Sequence, residues 1–165
     1  MADFTKIALA VKDWQESTAW LSLRDPRTGE VIGGEEEPAR ILLTSPLSER
    51  WLQMEKAYHA QMRLAREQGK ITFTLEDVER FEAHRIKCYM AVTREWENIE
   101  REGAPLACSP VNMEWLYSMK WVSDQLLEFM SSLSNFGAPE GTVNGLAGDV
   151  LEEAEKKSST GLPGT

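Results

Sequence analysis

The chain contains only two cysteines, Cys88 and Cys108, and it has no apolar run long enough to cross a bilayer. One pair of cysteines in 165 residues is not a disulfide framework, and nothing else in the sequence indicates secretion. The apolar stretch over residues 7–11 is too short for a signal peptide, and a membrane-spanning helix needs about 20 apolar residues. We therefore expect a cytoplasmic protein that does not bind a membrane.

Basic residues are also scarce. The sequence has 18 Lys and Arg against 27 Asp and Glu, which gives a net charge of -9. Contacts with nucleic-acid phosphates need clustered lysines and arginines, and no basic stripe of that density occurs. Bare nucleic acid is therefore not an expected partner. The acidic balance favours solubility, and it would also favour attraction to a basic partner.

The sequence motifs of catalysis are missing as well. It has no HExxH or CxxC pattern, no G-x-S-x-G elbow and no glycine loop of the phosphate-binding kind. His84 and Cys88 are four residues apart on a predicted helix and could share one ion, but two ligands do not complete a zinc site. We accordingly expect no catalytic residues, no metal and no cofactor, so the chain is not predicted to be an enzyme.

What is present is the composition of a globular protein, with 42% hydrophobic and 27% charged residues. The length suggests a single folded domain, which we place at residues 1–136. Residues 137–165 are rich in glycine and poor in large apolar groups. That composition predicts a flexible tail.

The predicted fold class is α+β and mainly α, and its N-terminal part contains the strands. Apolar spacing predicts a short helix over residues 4–19. Turn chemistry at Asp25-Pro26 and Gly29 then indicates a β-hairpin or a small β-meander over about 20–44. Because a lone hairpin is marginal in water, it must pack on the helices or on a partner.

The rest of the domain is predicted to be helical. Apolar residues three and four apart indicate helices over about 46–68 and 75–102, opened by Ser45-Pro46 and by Thr74. The short connection between them predicts a long antiparallel pair. A third segment over about 110–135 begins at Ser109-Pro110 and bends near residues 118–120.

Six tryptophans and seven methionines make aromatic and adaptable apolar surface available. Trp115 and Trp121 flank the predicted bend, where core packing and partner contact are both open interpretations. Together with Met119 and Phe129 they form the candidate partner-binding surface, which is expected to be exposed.

Two stretches of the sequence carry a family resemblance. The first is the Asp25-Pro26-Arg27-Thr28-Gly29 turn, which leads into Ile41-Leu42-Leu43-Thr44-Ser45 and a long charged helix. The second is Trp96-Glu97-Asn98-Ile99, followed by Gly103, Leu106, Ser109-Pro110-Val111-Asn112, Leu116-Tyr117, Trp121 and Asn135-Phe136. In this order, over roughly residues 20–136, the chain resembles the tail assembly chaperones of long-tailed, siphophage-type bacteriophages and their prophages.

The resemblance implies a viral protein of virion morphogenesis that acts in the bacterial host cytoplasm. Such a chaperone binds the tape measure protein, keeps it soluble while the tail tube polymerises around it, and is absent from the mature virion. It also implies self-association, contact with the major tail tube protein and a longer, frameshifted form of the same chain.

Five motif residues fall within the matching stretches: Trp96, Ile99, Asn112, Leu116 and Phe136. They are either contact sites or packing residues of the third helical region. In the packing interpretation, Trp96 and Ile99 lie near the end of a helix and clasp the helix that starts at Ser109-Pro110. Asn112 would bond back to the preceding loop.

Two other functions remain open. A structural tail-completion or connector protein would be retained in the virion and found in purified particles. A phage inhibitor of a host enzyme would use its acidic charge to mimic nucleic acid, which requires acidic residues gathered on one face.

Overall fold

A computed structural model describes residues 3–69 and 74–138, and it has the α+β, mainly helical architecture that the sequence predicts. The helices are α1 (Phe4–Gln15), α2 (Glu49–Glu67), α3 (Leu75–Val92), α4 (Pro110–Tyr117) and α5 (Lys120–Met130), with a short 3-10 helix at Leu133–Phe136. The strands are β1 (Thr18–Ser22), β2 (Arg40–Thr44), β3 (Thr93–Glu97), β4 (Glu100–Arg101) and β5 (Ala104–Pro105). The predicted tail lies outside the described residues apart from positions 137 and 138.

The main sheet is antiparallel, with the strand order β1-β2-β3. Ile41 of β2 lies opposite Leu21 of β1 and Trp96 of β3. The predicted meander is thus correct for its first two strands. Between them Arg24 and Val31 form a single bridge, and the third strand comes from much later in the chain.

The prediction of one helix over residues 75–102 is wrong beyond Val92. The chain leaves the helix there and runs into β3, which pairs with β2. The three- and four-residue apolar spacing continues through Trp96 and Ile99, so periodicity alone cannot detect the change. Pairing with β2 is non-local and decides the conformation. Gly103 consequently closes the β4–β5 turn and does not end a helix.

The predicted helix boundaries differ elsewhere too. The first helix ends at Gln15 and not at residue 19. Ser45-Pro46 opens a turn, in which the Ser45 hydroxyl accepts a hydrogen bond from the Leu47 amide, and α2 begins only after Ser48. The Ser109-Pro110 start is confirmed. The segment over 110–135 is divided into α4, α5 and the 3-10 helix, with the bend at residues 118–119.

The antiparallel pairing of α2 and α3 is confirmed. Trp51, early in α2, lies 6.0 Å from Tyr89, late in α3, measured between ring centroids. Further along α2, the ring centroid of Tyr58 lies 6.1 Å from that of Phe81, which is earlier in α3. The two helices therefore run in opposite directions. Although α2 has 19 residues, none of them is fully buried.

One apolar core joins the sheet to the C-terminal helices. Ile41, Leu43, Val92, Val122 and Leu126 are completely buried within it. Its members come from β1 through to the 3-10 helix, so the hairpin and the last helices belong to one packing unit.

Candidate functional site

A groove of about 660 Å³ lies between α5 and the loop that follows β1. It is the candidate functional site because two of the predicted partner-binding residues line it. The lining consists of Leu21, Ser22, Arg24, Asp25, Pro26, Gly29, Trp121, Asp124, Gln125, Glu128, Phe129, Ser132 and Asn135.

The walls of this groove are held together by Gln125. Its side-chain oxygen accepts a hydrogen bond from the Arg24 amide at 2.9 Å, and its side-chain nitrogen donates to the Arg24 carbonyl at 2.8 Å. The amide thus pairs with the backbone of Arg24 in the way that a neighbouring strand would. This two-point contact sets the loop beside α5 without closing the space between them.

Asp25 shapes the tip of the loop. Its carbonyl accepts from the Gly29 amide at 2.8 Å, and its carboxylate accepts from both the backbone and the guanidinium of Arg27. The bonds from Arg27, first that from its side chain, lower the pKa of Asp25 from 3.8 to about 2. Asp25 therefore carries its negative charge throughout the physiological range.

The groove has an apolar floor and an acidic rim. Trp121 and Phe129 come from α5, and the ring of Phe129 lies edge-on to that of Phe136 at 5.5 Å. On the rim the lining contains three carboxylates, from Asp25, Asp124 and Glu128, and one arginine; Asp25 is paired with Arg27, and Asp124 is paired with Lys120. Such a surface suits an apolar segment with basic flanks.

The four predicted partner-binding residues do not form one exposed patch. Trp115, Met119, Trp121 and Phe129 are all half-buried and packed against the core. The structure brings Trp121 and Phe129 together in the groove. Trp115 lies apart, with the Arg101 guanidinium 4.6 Å from its ring centroid, and Met119 is at the start of α5. All four side chains are thus partly covered by the core and partly accessible.

The five motif residues are in packing positions. Trp96, Ile99, Leu116 and Phe136 belong to the core, and the Trp96 indole donates to the Leu106 carbonyl at 2.6 Å. Asn112 donates to the Ala107 carbonyl at 2.8 Å, which confirms the predicted bond to the loop. Trp96 reaches this loop from a strand, however, and not from the end of a helix.

Sequence reasoning missed an apolar surface at the far end of the helix pair. Leu64 is 56% exposed, Leu75 76% and Phe81 47%. Leu75 and Phe81 belong to the apolar residues, three and four apart, from which the helix over 75–102 and its packing face were predicted. Spacing thus identified the apolar face of the helix pair without showing how much of it is covered.

A second missed feature is a cluster of three different side chains between α2 and α3. Glu55, His84 and Cys88 place a carboxylate oxygen, an imidazole nitrogen and a thiol sulfur within 4.8 Å of one another. Burial, and after it the Glu55 carboxylate, raises the pKa of the Cys88 thiol to about 12. His84 and Cys88 were recognisable by their four-residue spacing. Glu55 joins them only through the antiparallel packing.

Comparisons with protein-family models, with characterised proteins and with solved structures find no match to this chain. Among the helices within residues 3–69 and 74–138, none combines the length and the apolar character needed to cross a membrane.

Proposed function

We propose that the protein is a tail assembly chaperone of a long-tailed bacteriophage and that it holds an apolar helix of the tape measure protein in the groove. The observation that carries this proposal is the groove itself, whose apolar floor and acidic rim are set beside each other by Gln125. The family resemblance of residues 20–136 supplies the identity of the client.

The recognition mode is a helix in a groove. An amphipathic helix places its apolar face against Trp121 and Phe129, and basic residues at its edges meet the rim carboxylates. A free tape measure helix is prone to aggregate because its apolar face is exposed. Covering that face keeps the client soluble and requires no catalysis or cofactor.

Release follows from competition. Tail tube subunits that offer the client a larger buried interface displace the chaperone by mass action. The proposal therefore places the protein in the bacterial host cytoplasm during assembly and outside the finished virion. Contact with the major tail tube protein, self-association and a longer frameshifted form are parts of the same proposal.

The test is an affinity pull-down of the tagged full chain from cells making phage tails, with bound proteins identified by mass spectrometry. We expect recovery of the tape measure protein and absence of the tagged chain from purified particles. Retention in particles together with neck or tube proteins would instead support a tail-completion component. Recovery of a host enzyme alone would contradict both assembly roles.

A matched pair of variants tests the groove separately from the overall activity. Glu128→Lys reverses one charge on the rim, whereas Glu114→Lys reverses an exposed charge on α4 that does not line the groove. Recovery of the client should fall several-fold for Glu128→Lys because a like charge opposes the basic edge of the helix. Equal recovery with both variants would move the binding surface away from the groove.

A further inference from the structure

The helix pair contains a second site, which is independent of the groove. Glu55 projects from α2, and His84 and Cys88 project from α3 one helical turn apart. The His84 Nε2 lies 3.3 Å from Glu55 Oε1 and 3.4 Å from Cys88 Sγ, and the Cys88 Sγ lies 3.8 Å from the same carboxylate oxygen. A carboxylate oxygen, an imidazole nitrogen and a thiol sulfur thus lie close together.

These separations are those of a zinc coordination shell. Bond lengths of about 2.0–2.3 Å in a tetrahedral arrangement separate the ligand atoms of Zn²⁺ by roughly 3.3–3.6 Å. The three distances, 3.3, 3.4 and 3.8 Å, lie within about 0.2 Å of this range. An ion can therefore be placed among the three atoms without moving either helix.

The surroundings of the ligands are also suitable. The Tyr58 ring stacks on the His84 imidazole, with centroids 4.1 Å apart and planes 12° from parallel, and this contact orients the imidazole. The His84 side chain is 9% exposed and that of Glu55 is 29% exposed, so an ion can enter from solvent along the carboxylate. The second carboxylate oxygen faces His59 Nε2 at 3.3 Å.

We propose that Glu55, His84 and Cys88 bind one divalent zinc ion, which cross-links α2 to α3. The mixed nitrogen, sulfur and oxygen set matches the borderline-soft character of Zn²⁺. A carboxylate and a thiolate together neutralise the two positive charges, and the proton of the Cys88 thiol leaves to solvent on binding. A fourth ligand completes the tetrahedron, and water can supply it because the Glu55 side chain is 29% exposed.

The cross-link has a mechanical consequence for this fold. α2 contains no fully buried residue, and its aromatic contacts with α3 come from partly buried side chains such as Trp51 and Tyr58. An ion that binds the folded pair and not the unfolded chain stabilises it by mass action.

The experiment is a titration of the full-length, chelator-treated chain with Co²⁺, followed by displacement with Zn²⁺. Cobalt is the probe because a thiolate ligand gives it a charge-transfer absorption in the near ultraviolet. We expect saturation at one ion per chain, appearance of the thiolate absorption, and its loss when zinc is added. Binding that does not saturate, or saturation without a thiolate absorption, would overturn the proposal.

The two cysteines provide a matched pair of variants. Cys88→Ser should abolish the thiolate absorption and weaken cobalt binding at least about 10-fold, since loss of a ligand costs no less than loss of a group that merely orients one. Cys108→Ser should retain both, because Cys108 is not among the clustered ligands. Persistence of the absorption in Cys88→Ser would overturn the proposal by showing that the ion binds elsewhere.

Circular dichroism before the titration shows whether Cys88→Ser folds. If it does not fold, a third variant tests the site. Glu55→Gln changes a partly exposed side chain and keeps its size, so it should fold. It should weaken cobalt binding about 10-fold or more while preserving the thiolate absorption at saturating cobalt. Unchanged affinity in Glu55→Gln would show that Glu55 is not a ligand and would overturn the three-ligand site.

Discussion

At the scale of single residues, Thr93 shows how the junction between α3 and β3 is stabilised. Its hydroxyl donates to the Tyr89 carbonyl at 2.7 Å, at the end of the helix. The Thr93 oxygen also lies 2.6 Å from the Tyr117 hydroxyl. Because the single hydroxyl proton of Thr93 is already used, Tyr117 must be the donor in the second bond. Burial raises the pKa of Tyr117 above its usual range, so Tyr117 retains the proton that it donates.

Loss of the Thr93 hydroxyl, the acceptor of this bond, should lower the free energy of unfolding more than loss of the Tyr117 hydroxyl, the donor. Thr93→Val removes both hydrogen bonds of the Thr93 hydroxyl and leaves the buried Tyr117 hydroxyl without its partner, so it should lower the free energy of unfolding by about 1–3 kcal/mol. Tyr117→Phe removes only the bond between Thr93 and Tyr117, and it leaves no orphaned hydroxyl on the ring. It should therefore lower the free energy of unfolding by about 0.5–1.5 kcal/mol. Urea unfolding of both variants and of the double mutant measures the two costs. A larger loss in Tyr117→Phe would contradict the expected cost of leaving the Tyr117 hydroxyl without a partner.

At the scale of elements, the connection between β1 and β2 depends on a glycine that no other residue can replace easily. Gly33 has a φ of +84°, and a Cβ atom there would overlap the Glu37 carbonyl oxygen. The neighbouring Gly34 has a φ of +77° and open space around its Cα. The Ala39 amide, which donates to the Ile32 carbonyl at 2.8 Å, closes this loop tightly over Gly33.

Substitution of each glycine by alanine therefore separates the effect of a positive φ from the effect of the overlap with Glu37. Gly34→Ala should lower the free energy of unfolding by about 1–2 kcal/mol, the cost of a left-handed conformation with a side chain. Gly33→Ala should lower it by about 1–3 kcal/mol more, because the loop backbone must move to relieve the overlap. Chemical denaturation of the two variants checks this order. Equal losses would show that the loop opens without cost and that Gly33 is needed only for its φ.

At the scale of the whole molecule, stability depends on the core that joins β2 to α5. Leu126 is completely buried, whereas its neighbour Leu127 is 41% exposed. The sheet and the C-terminal helices should consequently unfold together in one transition.

Leu126→Ala should lower the free energy of unfolding by about 2–5 kcal/mol, because it removes buried methyl groups and leaves a cavity. Leu127→Ala should change it by no more than about 0.5 kcal/mol. Far-ultraviolet circular dichroism and the amide resonances of β2 should give the same midpoint in each variant. Resonances of β2 that survive loss of the helical signal would mean that the sheet folds separately.

Local signals in the sequence were sufficient for several features. Ser109 accepts a hydrogen bond from the Asn112 amide at the start of α4, and Pro110 follows at the first helical position, as local chemistry predicts. Gly69 adopts a left-handed φ of 68° just beyond α2. The bend between α4 and α5 was visible in the same way, because each of these features depends on a few adjacent residues.

The candidate sites were only partly visible in the sequence. Trp121 and Phe129 could be identified as aromatic residues near a bend, but their half-burial and the groove they line depend on the Arg24 backbone and Gln125. His84 and Cys88 could be paired by spacing, but Glu55 could not, since it lies 29 residues before His84.

The sequence by itself determined the starts of α3 and α4, the left-handed glycine after α2, the first two strands, the antiparallel helix pair and the acidic character of the chain. These follow from side chains near one another in the sequence. The tertiary structure alone decided that residues 93–97 form a strand, that the tryptophans near the bend pack partly against the core, and that a carboxylate meets an imidazole and a thiol between α2 and α3. Strand pairing, burial and clustering of ligands are contacts between distant parts of the chain. The apolar periodicity of a segment contains no information about which distant segment will contact it, so the sequence pattern could not predict these features.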